Sequence, residues 1–199
     1  MEARINATDR GDPAYAYKPS LLGAPWEFRL TPDALEWSIG RHQGRTPYDR
    51  ITRVRLSFRP VTMQTRRFVT EIWPAGGPKL SIASSSWKSV LEQEGRDQDY
   101  GAFVRELHRR IAAAGARASF ETGSPALLYW PGLAVFVVVS FGLAALTLQA
   151  LQIGAWAGAA FVGGFLALFL WQSGAYFRRN RPGSYRPEAL PPEWLVPRR

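Results

Sequence analysis

Five arginines in one short part of the chain could bind anions. They are Arg53, Arg55, Arg59, Arg66 and Arg67. A guanidinium group donates hydrogen bonds in a fixed fork that matches the oxygens of a phosphate or a carboxylate. In the stretch ITRVRLSFRP the first three alternate with Val54, Leu56 and Phe58. A β-strand over this stretch would bury the apolar side chains and present the arginines on its other face. We therefore predict a binding surface for an anionic ligand or partner here.

The surrounding segment 41–67 is strongly basic, with eight arginines and a single acid, Asp49. Several interpretations fit such a face. It could be a solvated strand face that resists edge pairing, or it could contact lipid headgroups, a protein or a nucleic acid. Nucleic-acid binding would require exposed aromatic rings among the arginines, on which bases could stack. Phe58 and Phe68 are expected to face the core instead, so we do not predict a nucleic-acid partner.

Residues for catalysis or metal binding are sparse. The chain has no cysteine and two histidines, His42 and His108, neither of which has a carboxylate at a metal-ligand spacing. Ser85 and Lys88 match an S-x-x-K pattern, but the companion motifs of acyl-transferring enzymes are missing. The sequence therefore predicts no enzyme activity, no cofactor and no metal. The formal net charge of +9 again favours an anionic partner.

The longest apolar block runs from residue 122 to residue 177 without any charged side chain. A membrane-spanning helix needs roughly 20 apolar residues, so this block can supply two, at about 126–148 and 155–177. A buried helical pair in a soluble protein would need a polar face on each helix, and neither segment has one. We therefore predict a transmembrane hairpin over residues 126–177 that contacts the lipid bilayer.

Arginines flank both ends of the predicted hairpin, and its turn carries no charge. They are Arg109, Arg110 and Arg117 before it and Arg178, Arg179, Arg181 and Arg186 after it. Positive residues are retained on the cytoplasmic side, so we expect an inner-membrane protein with both termini cytoplasmic. Gly154, Gly158 and Gly163 are predicted to pack the two helices together, and dimerisation through Gly154 and Gly158 is the alternative. The spans contain no ionisable residue, which argues against transport by the hairpin alone.

The rest of the chain reads as one soluble domain, 26–120, between an irregular arm, 1–25, and a basic tail, 178–199. Short alternating stretches in the domain predict six or seven antiparallel strands. Tyr100, Phe103, Val104, Leu107 and Ile111 then recur at helical spacing. The predicted fold class is therefore α+β, a small antiparallel barrel or sheet capped by one C-terminal helix and followed by the transmembrane hairpin.

Two resemblances accompany this layout. Gly44-Arg45-Thr46-Pro47-Tyr48 followed by Ile51, with the closing helix around Phe103–Leu107, resembles the pleckstrin-homology-like domains of bacterial membrane proteins. The IxxVRLSFRP strand and the RRNRP tail are also similar to those of uncharacterised two-span membrane proteins of proteobacteria. The first resemblance implies a binding scaffold, and the second implies no activity.

These observations predict a membrane-anchored, non-catalytic adaptor. Its pleckstrin-like domain would contact anionic headgroups or a partner protein through the arginines. The alternative is an accessory subunit of an inner-membrane complex, held by a membrane protein partner through the hairpin. A membrane-bound enzyme would need a pocket of convergent polar groups, which the sequence does not reveal.

Overall fold

The structure is a computed structural model that describes residues 11–20, 24–59, 67–87, 93–95 and 97–195. The chain divides into two compact units. The first, the domain, comprises Met1–Thr122 together with Ser184–Arg199. The second, the hairpin, is Gly123–Gly183. The fold class is α+β, as predicted, but the domain is built from two separate parts of the sequence.

A four-stranded antiparallel sheet opens the domain, in the order β1-β2-β3-β4. Its strands are β1 (Ala14–Tyr17), β2 (Trp26–Leu30), β3 (Ala34–Ile39) and β4 (His42–Pro47). Alternation of apolar and polar residues places Phe28 and Leu30 in the core. Gly40 forms the β3–β4 turn at φ +64°, a left-handed conformation that glycine adopts without strain.

A five-stranded sheet follows, in the order β11-β10-β5-β6-β7, with a separate β8–β9 pair. Its strands are β5 (Ile51–Phe58), β6 (Phe68–Pro74), β7 (Leu80–Ala83), β10 (Ser119–Thr122) and β11 (Gly183–Ser184). The separate pair is β8 (Ser85–Trp87) and β9 (Gln93–Gly95). The strands β5, β6 and β7 form an antiparallel meander, and β10 runs parallel to β5. More strands form than the six or seven predicted. The additional ones were not predicted because they are too short to show an alternation in the sequence.

One amphipathic helix, α1 (Asp97–Ala113), completes the core of the domain. All five of its predicted apolar residues are buried, which confirms the helical spacing. Inside the core, the hydroxyls of Tyr100 and Thr70 lie 2.7 Å apart and form a hydrogen bond. Gly115 follows the helix at φ +65° and provides the left-handed residue that commonly ends helices.

The predicted irregular arm contains an ordered strand, β1, which is a correction to the expectation for residues 1–25. The hydroxyls of Tyr15 and Tyr17 each donate a 2.6 Å hydrogen bond to β7, to the carbonyls of Ala83 and Ser81 respectively. The strand was not predicted because it is four residues long and lies among glycines and prolines, which are typical of loops. In the structure, two buried tyrosines hold it in place.

The second unit is a pair of helices, α2 (Ala126–Gln152) and α3 (Trp156–Arg179). Both are long and apolar enough to cross a membrane. Large apolar side chains cover their outer surface, with Leu127 89% and Phe161 77% exposed. The two helices extend a few residues beyond the predicted spans, and Gly154 in the turn adopts φ +74°.

The two ends of the hairpin lie against each other. The backbone N–H of Ser124 donates a 2.9 Å hydrogen bond to the carbonyl of Asn180. Gly123 adopts φ +77°, and a Cβ there would collide with the carbonyl oxygens of Asn180 and Arg181. A glycine is therefore required at the point where the chain enters the hairpin.

Candidate functional site

Strand β5 places its arginines on one face of the five-stranded sheet and its apolar residues on the other. Val54 and Leu56 are fully buried, as the alternation predicts. Across the β5–β6 pair, Arg53 lies opposite Trp73 and Arg55 lies opposite Glu71. The arginines therefore meet an aromatic ring and a carboxylate on the neighbouring strand. We call this surface the charged face. It consists of Arg53, Arg55, Arg59, Glu71, Trp73, Lys79 and Glu121.

Glu121, on β10, neutralises part of the charged face. The parallel register places Glu121 beside Arg55. The Nε of Arg55 donates to Glu121 Oε2 at 3.0 Å, and Arg53 Nε lies 3.6 Å from Oε1 of the same carboxylate. The Arg55 side chain is only 11% exposed. Arg55 is therefore a structural ion-pair partner, and little of its guanidinium is accessible to a ligand.

Glu71 is the second carboxylate of the charged face, and its side chain is 3% exposed. Its Oε1 accepts a 2.8 Å hydrogen bond from Arg59 and lies 2.5 Å from the ammonium of Lys79. A buried carboxylate needs such charged donors to offset its desolvation. Glu71 therefore holds the guanidinium of Arg59 and the ammonium of Lys79 in place. Much of both side chains stays exposed to solvent.

The indole of Trp73 lies among three cations. The charged groups of Arg53, Arg55 and Lys79 are 5.4, 5.3 and 5.1 Å from its ring centroid. A cation at such a distance is attracted to the electron-rich face of an indole. Trp73 thus holds the cations in place without removing any charge. With four cations against two carboxylates, the charged face keeps a surplus of two positive charges.

Arg67 differs from Arg53, Arg55 and Arg59, the other described arginines of the predicted site. It has no ion pair with any residue that the structure describes, and its Nε is buried without a hydrogen-bond partner. Its backbone carbonyl accepts a 2.8 Å hydrogen bond from the N–H of Arg59, which fixes its position at the start of β6. Arg66, the remaining predicted residue, lies outside the described residues.

The C-terminal tail belongs to the domain, a feature that the sequence did not suggest. Trp194 and Leu195 are buried in the core of the domain. The N–H of Tyr185 donates a 3.1 Å hydrogen bond to the carbonyl of Phe120 on β10. Residues 184–195 are therefore a structural element, which corrects the expectation of a simple basic tail over 178–199.

His108 fastens this tail to α1. It is buried, and its Nδ1–H donates to the carbonyl of Val104 at 2.7 Å. Its Nε2 therefore accepts a 2.7 Å hydrogen bond from the hydroxyl of Tyr185. Burial lowers the pKa of His108 to about 4 and raises the pKa of Tyr185. Both groups are neutral near pH 7, and His42, the other histidine, is exposed.

The arginines near the end of α1 are also engaged within the domain. Glu106 accepts hydrogen bonds from the Nε of Arg109 and from the Nε of Arg110, both at 2.7 Å. These bonds, that from Arg109 above all, lower the pKa of Glu106 to about 2. Arg110 also donates to the carbonyl of Leu30 at 2.9 Å, which joins α1 to β2. Arg110 is therefore structural rather than a ligand-binding group.

No family model, curated protein or solved structure matches this chain. The geometry of the site is thus the basis for a functional proposal. Ser85 lies in strand β8 and not in a helical turn of the kind that joins a catalytic serine to a lysine three residues later. Lys88, the lysine of the S-x-x-K pattern, lies outside the described residues.

The three glycines predicted to pack the hairpin occupy three different environments. A Cβ on Gly163 would lie 3.4 Å from Cγ2 of Thr147, so Gly163 faces α2. Gly158 has open space around it, and Gly154 lies in the turn. Five residues correspond to about 1.4 helical turns, so Gly158 and Gly163 cannot share one face. A Cβ on Gly132, which was not singled out from the sequence, would lie 3.6 Å from the Phe177 ring.

Proposed function

We propose that this chain is a membrane-anchored, non-catalytic binding protein. Its domain contacts anionic lipid headgroups, or an acidic partner protein, through the charged face. The observation that carries this proposal is a sheet face with surplus positive charge on a domain joined at both ends to an apolar hairpin. One fold can serve many unrelated functions, so the proposal depends on the charged face and not on the fold of the domain.

The topology supports a pleckstrin-homology-like scaffold for this domain. A four-stranded antiparallel meander is followed by a three-stranded one, and a helix near the end of the sequence packs into the core. The added strand β10 and the tail residues extend this arrangement.

The hairpin supports attachment to the bacterial inner membrane with both termini cytoplasmic. Its ends meet at the hydrogen bond from Ser124 to Asn180, and the domain contains chain segments from before and after it. Both ends of the hairpin therefore lie on one side of any membrane that it crosses. The arginines after α3 and the uncharged turn favour the cytoplasm as that side.

The exposed cations of the charged face make anionic headgroups a suitable ligand. The side chains of Arg53, Arg59 and Lys79 are 46%, 56% and 46% exposed. A basic residue close to an anionic leaflet contributes about 1 kcal/mol of attraction. Tethering by the hairpin keeps the domain near the membrane, so weak contacts of this size can act together.

The absence of cysteine makes a direct test practicable. Ser119 is exposed beside Arg53 in the β10–β5 register, so Ser119→Cys would carry a single fluorophore at the charged face. The full chain is placed in nanodiscs of phosphatidylcholine with 0 or about 30% phosphatidylglycerol, with a nitroxide quencher at headgroup level. We expect quenching that rises with anionic lipid and falls with added salt.

The matched variant is Arg53→Gln with Arg59→Gln, which should reduce the lipid-dependent quenching by at least half. Asp33→Asn, at an exposed carboxylate of the other sheet, serves as the control. Quenching that ignores the lipid charge would exclude headgroup contact and favour the acidic protein partner.

A second candidate function, an accessory subunit of a membrane complex, is favoured by one observation. Gly158 lies on an exposed part of α3 with no heavy atom near its would-be Cβ, so the hairpin itself does not need glycine there. Gly158→Leu should then leave the hairpin intact but displace a partner from co-purified membranes. Gly163→Leu should disturb the hairpin itself, because Thr147 lies against it. An unchanged set of partners in Gly158→Leu would contradict the subunit function.

A further inference from the structure

We infer that Arg67 forms, with the hydroxyls of Ser57 and Ser85, a binding site for a phosphate group. This phosphate site is separate from the ion pairs of the charged face, and its assignment to lipid rests on the proposed function. The phosphate is either part of a lipid headgroup or a free anion.

Three buried polar atoms in this part of the sheet have no hydrogen-bond partner among the described residues. They are Ser57 Oγ, Ser85 Oγ and Arg67 Nε. Ser57 and Ser85 are at least nine-tenths buried. A buried polar atom without a partner is unfavourable by about 1–3 kcal/mol, so such atoms are rare in folded proteins. Three such atoms on adjoining segments of the chain indicate a ligand that would satisfy them.

The strand register places these residues next to one another. Ser57 lies opposite Val69 in the β5–β6 pair, and Arg67 is two residues before Val69 on the same face. Such diagonal neighbours are within reach of a long side chain. On the other side of β6, the β6–β7 pairing ends at Val69 and Ala83, but the N–H of Ser84 still donates to the carbonyl of Phe68 at 2.9 Å. Ser85 follows Ser84 directly in the chain. Arg67 therefore adjoins Phe68, which pairs with Phe58 next to Ser57 and bonds to Ser84 next to Ser85.

Among the described residues, no carboxylate forms an ion pair with Arg67. Both carboxylates of the charged face are engaged by other cations: Glu71 by Arg59 and Lys79, and Glu121 by Arg55. Tyr17 lies within electrostatic reach of Arg67, but its hydroxyl donates to the carbonyl of Ser81 and burial raises its pKa, so it is not an anion.

The donor set fits phosphate better than carboxylate. The Nε and one Nη of a guanidinium form the side of the fork that binds two oxygens of an oxyanion in parallel. Two hydroxyl donors would then need further acceptor oxygens. Phosphate has enough oxygens for all four donors, whereas the two oxygens of a carboxylate would be shared between them.

The test uses the ¹⁵N-labelled full chain in maltoside micelles, which contain no phosphate, and follows arginine Nε–H resonances. Arg67→Lys keeps the charge but removes the fork, and so identifies the Arg67 signal. The Arg55 Nε–H already binds Glu121 and serves as an internal reference. We expect a saturable shift of the Arg67 signal, with little change at Arg55, when the anion is added.

Two arms distinguish the source of the phosphate. One adds inorganic phosphate, and the other adds short-chain phosphatidic acid to the micelles. A shift with the lipid alone, or more tightly with the lipid, assigns a headgroup site. A shift with inorganic phosphate alone assigns a site for a soluble phosphate. No shift in either arm overturns the proposal.

Serine variants test the hydroxyls without relying on a loss of folding. Ser57→Ala and Ser85→Ala should each weaken the anion affinity about tenfold, the effect of one hydrogen bond to a charged group. Without the anion they should not lower the melting temperature, because an unpaired buried hydroxyl is removed. Unchanged affinity with reduced stability would overturn the role of the serines. The quenching at Ser119→Cys is read independently, so failure of the phosphate site is distinguishable from failure of headgroup contact by the charged face.

Discussion

The domain and the hairpin handle apolar side chains in opposite ways. In the domain, residues such as Leu56, Leu107 and Ile82 are almost completely buried, and the surface is polar. In the hairpin, Leu127 and Phe161 are among many large apolar side chains that face outwards. The same residue types thus form a core in one unit and a surface in the other. The difference matches a hairpin that is long and apolar enough to cross a membrane, where hydrocarbon would take the place of water around these side chains.

The two units also differ in how their polar groups are used. The domain fastens its parts with specific side chains, among them Tyr15 on β1 and His108 on α1. In the hairpin, Ser140 and Thr147 donate to backbone carbonyls four residues earlier in α2. Hydroxyls that bond within their own helix expose no unpaired donor, as a lipid environment requires.

The largest effect should come from the tail that completes the domain. Trp194→Ala removes a buried indole and should reduce the free energy of unfolding of the domain by about 3–5 kcal/mol. The measurement is amide hydrogen exchange of α1 in the full chain in micelles. Glu188→Ala, an exposed position in the same tail, should change it by less than about 0.5 kcal/mol. Equal exchange rates for both variants would show that the tail is not part of the domain core.

A charge on the hairpin tests its solvent directly. Val138 is 70% exposed near the middle of α2, and in water an arginine there would be nearly harmless. In a bilayer, Val138→Arg should make insertion of α2 less favourable by about 2.5–3.5 kcal/mol. Glycosylation mapping in microsomes measures this change, and the stability of Ala102→Arg, on the exposed side of α1, gives the water reference. If Val138→Arg inserted as well as the parent chain, the membrane assignment would be wrong.

Local patterns in the sequence predicted the elements that are long enough for the spacing of their apolar residues to repeat. Strand β5, helix α1 and the two apolar helices all lie where the sequence places them. The alternation also put Val54 and Leu56 in the core, as the structure confirms. These patterns depend on residues within one element, so no tertiary information was needed.

The parts that were missed depend on contacts between distant residues. Strand β10 is four residues long, and its carboxylate, Glu121, pairs with an arginine 66 positions earlier. The tail is rich in proline and shows no period, yet Tyr185 reaches a histidine 77 positions away. The alternation of Phe120 and Thr122 around Glu121 was a signal for β10, but nothing in the sequence identifies the carboxylate's partner. The arginine face therefore seemed more accessible from sequence than it is.

The ion pair of Arg55 should be worth more than an exposed pair of the same kind. Glu121→Gln leaves a mostly buried guanidinium without its carboxylate, and should destabilise the domain by about 1–3 kcal/mol. Asp33→Asn breaks the exposed pair with Arg45 and should change the stability much less, because water screens this pair. Chemical denaturation of both variants in micelles measures the difference. Equal effects would mean that Arg55 is available to ligands after all.

The smallest effect is a pH dependence that originates in the domain and not in the hairpin. The folded pKa of His108, about 4, lies below its ordinary value of 6.5, so the unfolded chain binds more protons between these values. Stability from this group is complete above pH 6.5 and should fall by up to about 1.4 kcal/mol for each pH unit between 6.5 and 4. Urea midpoints of the domain from pH 7 to pH 5 measure the slope. The same series with His108→Gln, whose amide does not titrate, should be nearly flat over this range, because Glu106, with a pKa near 2, stays ionised. An equal slope in both chains would mean that another group titrates, and that the hydrogen bond between His108 and Tyr185 has no role in acid sensitivity.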